Sequence, residues 1–158
     1  PERATYPCGT HVAEVEVDIE TGAVHILRYT TAHDCGTMIN PVSVEAQVMG
    51  GVAHGVGNAL LERMLYDDNG QPVTTNFGEY LLPSAPEVPS VEQTHMESPT
   101  PLNPLGVKGA GEGGTIPAIA VIVSAVEDAL APFDIELRDV PLSPEHLLDA
   151  IEAATAEA

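Results

Sequence analysis

HVAEVEVDIETGAVHILRYTT, residues 11–31, decides what kind of fold this chain builds. From His11 to Asp18 the apolar Val12, Ala13, Val15 and Val17 are set against Glu14, Glu16 and Asp18, a largely two-residue period that predicts a half-buried strand. Glu20-Thr21-Gly22 is a turn signal, and Ala23 to Thr31 returns as a β-branched and aromatic run, so the opening segment predicts an antiparallel hairpin.

Downstream, NPVSVEAQVMGGVAHGVGNALLER (residues 40–63) opens with Asn40 as an N-cap and Pro41 at the first helical position. Val44, Val48, Val52, Val56, Ala59 and Leu60 then recur near helical spacing, which predicts a long helix reaching Arg63. Its middle holds Gly50, Gly51, Gly55 and Gly57, each costing up to about 1 kcal/mol relative to Ala in a helix interior. Either another backbone packs closely there or a ligand does, and packing is the commoner cause.

Asp67-Asp68-Asn69-Gly70 lies between Met64–Tyr66 and Val73–Tyr80 and predicts a second hairpin. Val91 to Glu97 reads as a strand, and Pro99, Pro101 and Pro104 make an extended loop. Thr115 is placed to cap an apolar helix from Ile116 to Leu130, with Pro117 in its first turn, and a last helix starts at Ser143-Pro144-Glu145. The Ala/Glu tail at 152–158 is expected to fray. Together these elements predict an α+β fold in a single domain over 1–158: antiparallel hairpins packed with a glycine-bearing helix and a buried apolar helix.

The 158 residues suffice for one core, and 44% hydrophobic content with mean hydropathy +0.06 excludes disorder and collagen. The longest apolar run, Ile116 to Val126, is too short to span a membrane, so a soluble chain is expected. Five Lys and Arg against 24 Asp and Glu give a net charge of -19, which disfavours nucleic acid as a partner. Two cysteines, Cys8 and Cys35, and no signal segment make a cytoplasmic location the expectation. The Met-less start at Pro1 suggests that an upstream part is missing.

GVKGAGEGGT, residues 106–115, is the chemically richest segment. It holds the only lysine, Lys108, and a carboxylate, Glu112, among five glycines, directly ahead of the apolar helix. Glycines allow backbone to approach a ligand, and a glutamate held there in partial desolvation gains basicity toward the range of a general base. The alternative is a surface loop with a solvated glutamate. Gly109 to Gly114 also matches G-x-G-x-x-G, but no strand precedes it and no parallel strand follows, so a dinucleotide site is the weaker reading. His11, His25, His33, His54, His95 and His146 show no ligand-type pairing and predict no protein-held metal. Asp34-Cys35-Gly36 reads as a tight turn, since Cys35 has no evident activating base. Gln47 suits either recognition of a heterocycle edge or an exposed helix position.

Four segments taken together, Gly9-Thr10-His11 to Glu16-Val17-Asp18, Asp34-Cys35-Gly36 with Asn40-Pro41, Gln47 through Gly50-Gly51 to Gly55-Val56-Gly57, and Gly106 to Glu112, resemble the C-terminal part of the molybdopterin-binding large subunit of the xanthine dehydrogenase/aldehyde oxidase family. The resemblance covers about residues 8 to 152 and is nearest the aerobic carbon monoxide dehydrogenase large chain. It implies a molybdenum hydroxylase that oxidises a small substrate with water-derived oxygen, inactive as these residues alone. Molybdenum would be held by molybdopterin, in its cytosine dinucleotide form, and by no protein side chain. Glu112 would be the general base, Gln47 a pterin contact, and Lys108, Gly109 and Gly111 the loop against the cofactor. The implied partners are the N-terminal remainder of the large subunit and subunits carrying [2Fe-2S] and FAD. Two positions depart from the family: Gly113 stands where Ser or Pro is frequent, which loosens the loop, and His54 where Gln is common. The substrate-selecting loop lies upstream in that family, so carbon monoxide, purine, aldehyde and N-heterocycle are equally compatible. The rival reading is a non-catalytic structural or binding module in which Glu112 is a plain loop residue.

Overall fold

The computed structural model describes residues 4–156 and is an α+β fold of one three-stranded sheet and three α-helices. Strand β1 (Cys8–Val17) and strand β2 (Val24–Asp34) form the expected antiparallel hairpin, and β3 (Val91–Met96) adds to the other edge of β2 in parallel. The turn is closed by Asp18, whose Oδ1 accepts the N–H groups of Glu20 and Thr21. The register slips by one residue between Glu14 and Val15, and the extra residue on β2 is Leu27. That bulge turns Leu27 outward at 58% exposure and returns Tyr29, Thr31 and His33 to the buried face.

Helix α1 (Pro41–Leu60) starts as its sequence demands, with Asn40 Oδ1 accepting the Ser43 N–H at 3.2 Å. It ends three residues short of Arg63, where the Leu61 and Glu62 N–H groups both donate to Gly57 C=O. Helix α2 (Ile116–Ala129) carries Ala118, Ile122, Val126 and, just past its end, Leu130 at four-residue intervals, all fully buried. This one stripe serves two clusters: Ala118 and Ile122 pack with Tyr29, Val52, Val56 and Ala59, while Val126 and Leu130 pack with Leu137, Leu142, Leu147 and Ile151. Helix α3 (Pro144–Ala156) supplies Leu147 and Ile151, and Ser143 Oγ accepts the His146 N–H at its start. It stays helical through Ala156, so residues 152–156 of the expected tail belong to α3, and 157–158 lie outside the described residues. Among the described residues, no helix is long and apolar enough to cross a membrane.

The glycines of α1 are explained chiefly by packing. A Cβ on Gly55 would collide with the Cβ of Ala118, and one on Gly51 would lie 2.8 Å from Gly114 Cα and Thr115 N. On the facing side, a Cβ on Gly114 would run into the Val48 carbonyl. Gly51, Gly55, Gly114 and Ala118 therefore form a seam along which α1 and the start of α2 approach at backbone distance. Gly57 is closed off by Glu62 and Pro83. Gly50 is the exception, with no atom within 4 Å of where its Cβ would be.

Two expectations need correction. The second hairpin is reduced to a single bridge between Tyr66 and Pro72 around a turn in which Asp67 Oδ1 accepts from Asn69 and Gln71. Val73 N–H still donates to Leu65 C=O at 2.9 Å, but the Leu65 N–H turns to Thr74 Oγ1 instead of returning across the pair, and beyond it Asn76 folds residues 76–80 into turns of their own. Thr115 does occupy the N-cap of α2, but its side chain makes no capping bond; the Thr115 and Ile116 N–H groups donate instead to Glu112 C=O at 3.0 and 3.1 Å.

Candidate active site

The glycine-rich loop is held along its length. At its start, Gly106 C=O accepts the N–H groups of Thr37 and Thr100, both at 3.1 Å, and Asn103 brackets Val107 with a bond in each direction. Gly36 and Gly106, at φ +71° and +68°, meet here so closely that a Cβ on Gly36 would strike the Gly106 carbonyl. Lys108 N–H donates to Cys35 C=O at 2.8 Å, and the Lys108 ammonium lies 3.1 Å from Asp34 Oδ2. Farther along, Gly109 N–H reaches Thr5 C=O at 3.4 Å. Gln47, on α1, then donates from Nε2 to Gly111 C=O at 2.7 Å.

Gln47 and Glu112, 65 positions apart in the chain, are thus brought together, since the residue bonded by the glutamine immediately precedes the glutamate. Glu112 is exposed on this chain, as are Gln47, Gly109 and Gly111. A Cβ on Gly111 would meet nothing within 4 Å, matching Gly50 one helical turn beyond Gln47. Gly113, whose flexibility was expected to loosen the loop, instead sits over a buried ring: a Cβ there would be 3.1 Å from His33. Lys108 does not face outward with these groups but is drawn to Asp34.

Asp34-Cys35-Gly36 is the tight turn expected, with Asp34 Oδ1 accepting the Gly36 N–H at 2.8 Å. The N–H groups of Gly36 and Ser98, together with the Lys108 ammonium, hold the Asp34 carboxyl well below the usual carboxylate range. Burial raises the pKa of the Cys35 thiol, which leaves it un-ionised and unsuited to attack. His54 lies exposed on α1.

What residue spacing did not reveal is a buried polar chain beneath Gly113. His11 Nδ1 pairs with Tyr29 Oη at 2.8 Å, and His11 Nε2 with His33 Nε2 at 2.7 Å. His33 stands beside His95 in the parallel register of β2 and β3. Among the described residues, no group of histidine, cysteine and acidic side chains is arranged to hold a metal ion. Desolvation, and next the neighbouring His33, push His11 down to about 4, and burial also lowers His33. Both rings are therefore neutral near pH 7, one donating and the other accepting. In the unfolded chain His11 takes up a proton near its ordinary pKa of 6.5, whereas the folded state resists until about pH 4. The contribution of His11 is thus full only well above pH 6.5 and is lost as pH drops toward 4, on the order of 1 kcal/mol between pH 7 and pH 5 once solvent screening is allowed for. Thermal unfolding across that range should show this loss, and His11→Gln should flatten it.

The molybdopterin cofactor-binding domain family model matches residues 1–89, which include Gln47 but not Glu112. Among curated proteins, the 6-hydroxypseudooxynicotine dehydrogenase complex subunit gamma of Paenarthrobacter nicotinovorans is 43% identical over 90% of this chain and 18% of its own length. Quinoline 2-oxidoreductase from Pseudomonas putida 86 superposes with a TM-score of 0.89 at 45% identity, over 91% of this chain and 18% of that one. Reconstituted CO dehydrogenase from Oligotropha carboxidovorans superposes with a TM-score of 0.94 at 31% identity, over the whole of this chain and 20% of that one. The chain spans only about a fifth of the length of the proteins it matches. With more than half of its residues covered by the family model and its fold shared along its length, the chain belongs to the molybdopterin cofactor-binding domain family.

Proposed function

We propose that this chain forms one wall of the cofactor cleft of a molybdenum hydroxylase and supplies its general base, Glu112. The observation that carries the reading is the bond from Gln47 to Gly111, which joins the helix and the loop into one exposed surface with Glu112 at its edge. That surface is open to the approach of a large group. Gly50 and Gly111 leave it free of side-chain bulk, and neither glycine is required there by packing within the chain.

When bound, molybdopterin supplies the redox chemistry that places water-derived oxygen on a small substrate. The polypeptide's part is positioning and proton transfer. Gln47 presents an amide at the cofactor's edge while fixing the Gly111 carbonyl, and Gly109 and Gly111 let the loop backbone lie flat against it. Glu112 accepts the proton at its carboxylate. The shielding from water that its basicity needs comes from polypeptide outside these residues, since Glu112 is exposed here. The cytosine dinucleotide form of the cofactor, the [2Fe-2S] and FAD partner subunits and the remaining large-subunit chain complete the reading. What supports an oxidoreductase of several parts is that the chain is similar to a subunit of a dehydrogenase complex, a quinoline oxidoreductase and a CO dehydrogenase.

Gly50→Leu in the full-length enzyme tests it. A helix former placed at an open position should leave the melting temperature unchanged or slightly raised, by up to about 1 kcal/mol of stability. The same side chain would fill the cofactor wall, so molybdenum per protein should drop severalfold. Full molybdenum content would contradict the placement of this face.

A further inference from the structure

The loop that carries Glu112 is anchored four residues upstream, at Lys108, a side chain to which the proposed function gives no role. Lys108 is the only lysine of the chain, and the resemblance places it with Gly109 and Gly111 against the cofactor. Its ammonium instead lies 3.1 Å from Asp34 Oδ2, with the two side chains only 16% and 15% exposed. The other oxygen of Asp34 is fully engaged as well, accepting from Gly36 N–H at 2.8 Å and Ser98 N–H at 3.1 Å. One carboxylate thus joins the end of β2, the turn after it, the segment entering the proline loop and the loop that carries Glu112. The backbone runs the same way, through Lys108 N–H on Cys35 C=O and through Gly106 C=O, shared by Thr37 and Thr100. Beyond Lys108 the sequence Gly109-Ala110-Gly111 has no polar side chain with which to hold its own course. Its direction is set by the Asp34–Lys108 pair at its start, the Gly109 N–H on Thr5 C=O and the Gln47 bond at its end.

Resting on the reading of Glu112 as general base, we propose that Asp34 is a positioning residue for Glu112 and that Lys108 acts through Asp34, as a strut for the loop, and not as a charge presented to the cofactor. A charge-assisted bond between partly buried groups fixes geometry more tightly than a neutral one, and a displacement near 1 Å at a reacting group costs up to about a hundredfold in rate.

The test is a double-mutant cycle in the full-length holoenzyme with Asp34→Asn, Lys108→Met, the two combined, and Lys108→Arg. Each disabling single variant should lower kcat about tenfold or more, with KM and molybdenum content near wild type. The double variant should be no worse than the weaker single, because both break one interaction. Lys108→Arg, which keeps the pair, should recover most of kcat. Hydrogen exchange in the peptide covering 106–113 should speed up in both disabling variants, and this reads the strut without activity. If Asp34→Asn does not fold, Lys108→Met and its exchange rate decide alone. The proposal is overturned if Lys108→Met loses molybdenum while Asp34→Asn keeps it, if the two losses multiply, or if loop exchange is unaltered. Failure of the base assignment looks different: Glu112→Gln would retain turnover while the exchange result still stood.

Discussion

Glu112→Gln in the full-length enzyme should reduce turnover by about 10²–10⁴-fold, the usual contribution of a positioned general base, while molybdenum content and melting temperature stay as they were. The substitution is nearly isosteric, and everything that fixes the loop around it is backbone or belongs to other residues. Thr115 and Ile116 donate to the Glu112 carbonyl, which an amide side chain leaves alone. Gln47 bonds the Gly111 carbonyl, one residue earlier. What the variant removes is the ability to accept a proton at the carboxylate. A purely structural role for this surface predicts wild-type turnover, so the two readings differ by orders of magnitude in a single assay of kcat alongside metal analysis.

Gly55→Val should strongly disrupt the packing of α1 on α2, because the Cβ itself, before any branching, meets the Ala118 Cβ. Ala at an open helix interior position gains up to about 1 kcal/mol over Gly. At Gly55 even Ala should reverse that sign, and Val should cost about 3 kcal/mol or more by forcing α1 and α2 apart. Against a total stability of about 5–15 kcal/mol, such a loss lowers the yield of folded protein as well as its melting temperature. Parallel unfolding curves for Gly50→Ala and Gly55→Ala provide the control: the first should be neutral or stabilised, the second clearly destabilised. Equal behaviour of the two would mean that the seam does not set the helix spacing. Because Gln47 and the glutamate loop lie on opposite sides of this seam, a wider spacing also separates them, and cofactor loading should fall with it.

Much of this architecture is legible in the residues because local signals and tertiary demands agree. The alternation through Val15 and Val17, the Asn40-Pro41 start of α1 and the four-residue stripe of α2 each give the same element when read alone as they do in the fold. The four glycines of α1 are legible as a demand, but the sequence does not divide them; only the facing residues show that Gly51 and Gly55 serve packing and that Gly50 does not. The second hairpin stays short because Asn69-Gly70 specifies a turn, whereas a ladder needs partners on both sides, and the Leu65 N–H is taken by the Thr74 hydroxyl. At the site, Glu112 stands out by its glycine surroundings, and Gln47 carries weight only through its resemblance to a known pattern. The Asp34–Lys108 pair joins residues 74 positions apart and leaves no spacing to notice. The His11–His33 contact is hidden for a related reason: the bulge between Glu14 and Val15 shifts the register, so counting back from the turn sets these residues against the wrong neighbours.

The most direct measurement is a crystal structure of the full-length enzyme with its cofactor bound. The Glu112 carboxylate should lie within hydrogen-bond reach of a molybdenum ligand, about 3 Å or through one water, with the Gln47 amide at the pterin edge and the bond to Gly111 retained. A Glu112 side chain facing bulk solvent, with the cofactor seated against a different surface of the chain, would contradict the account.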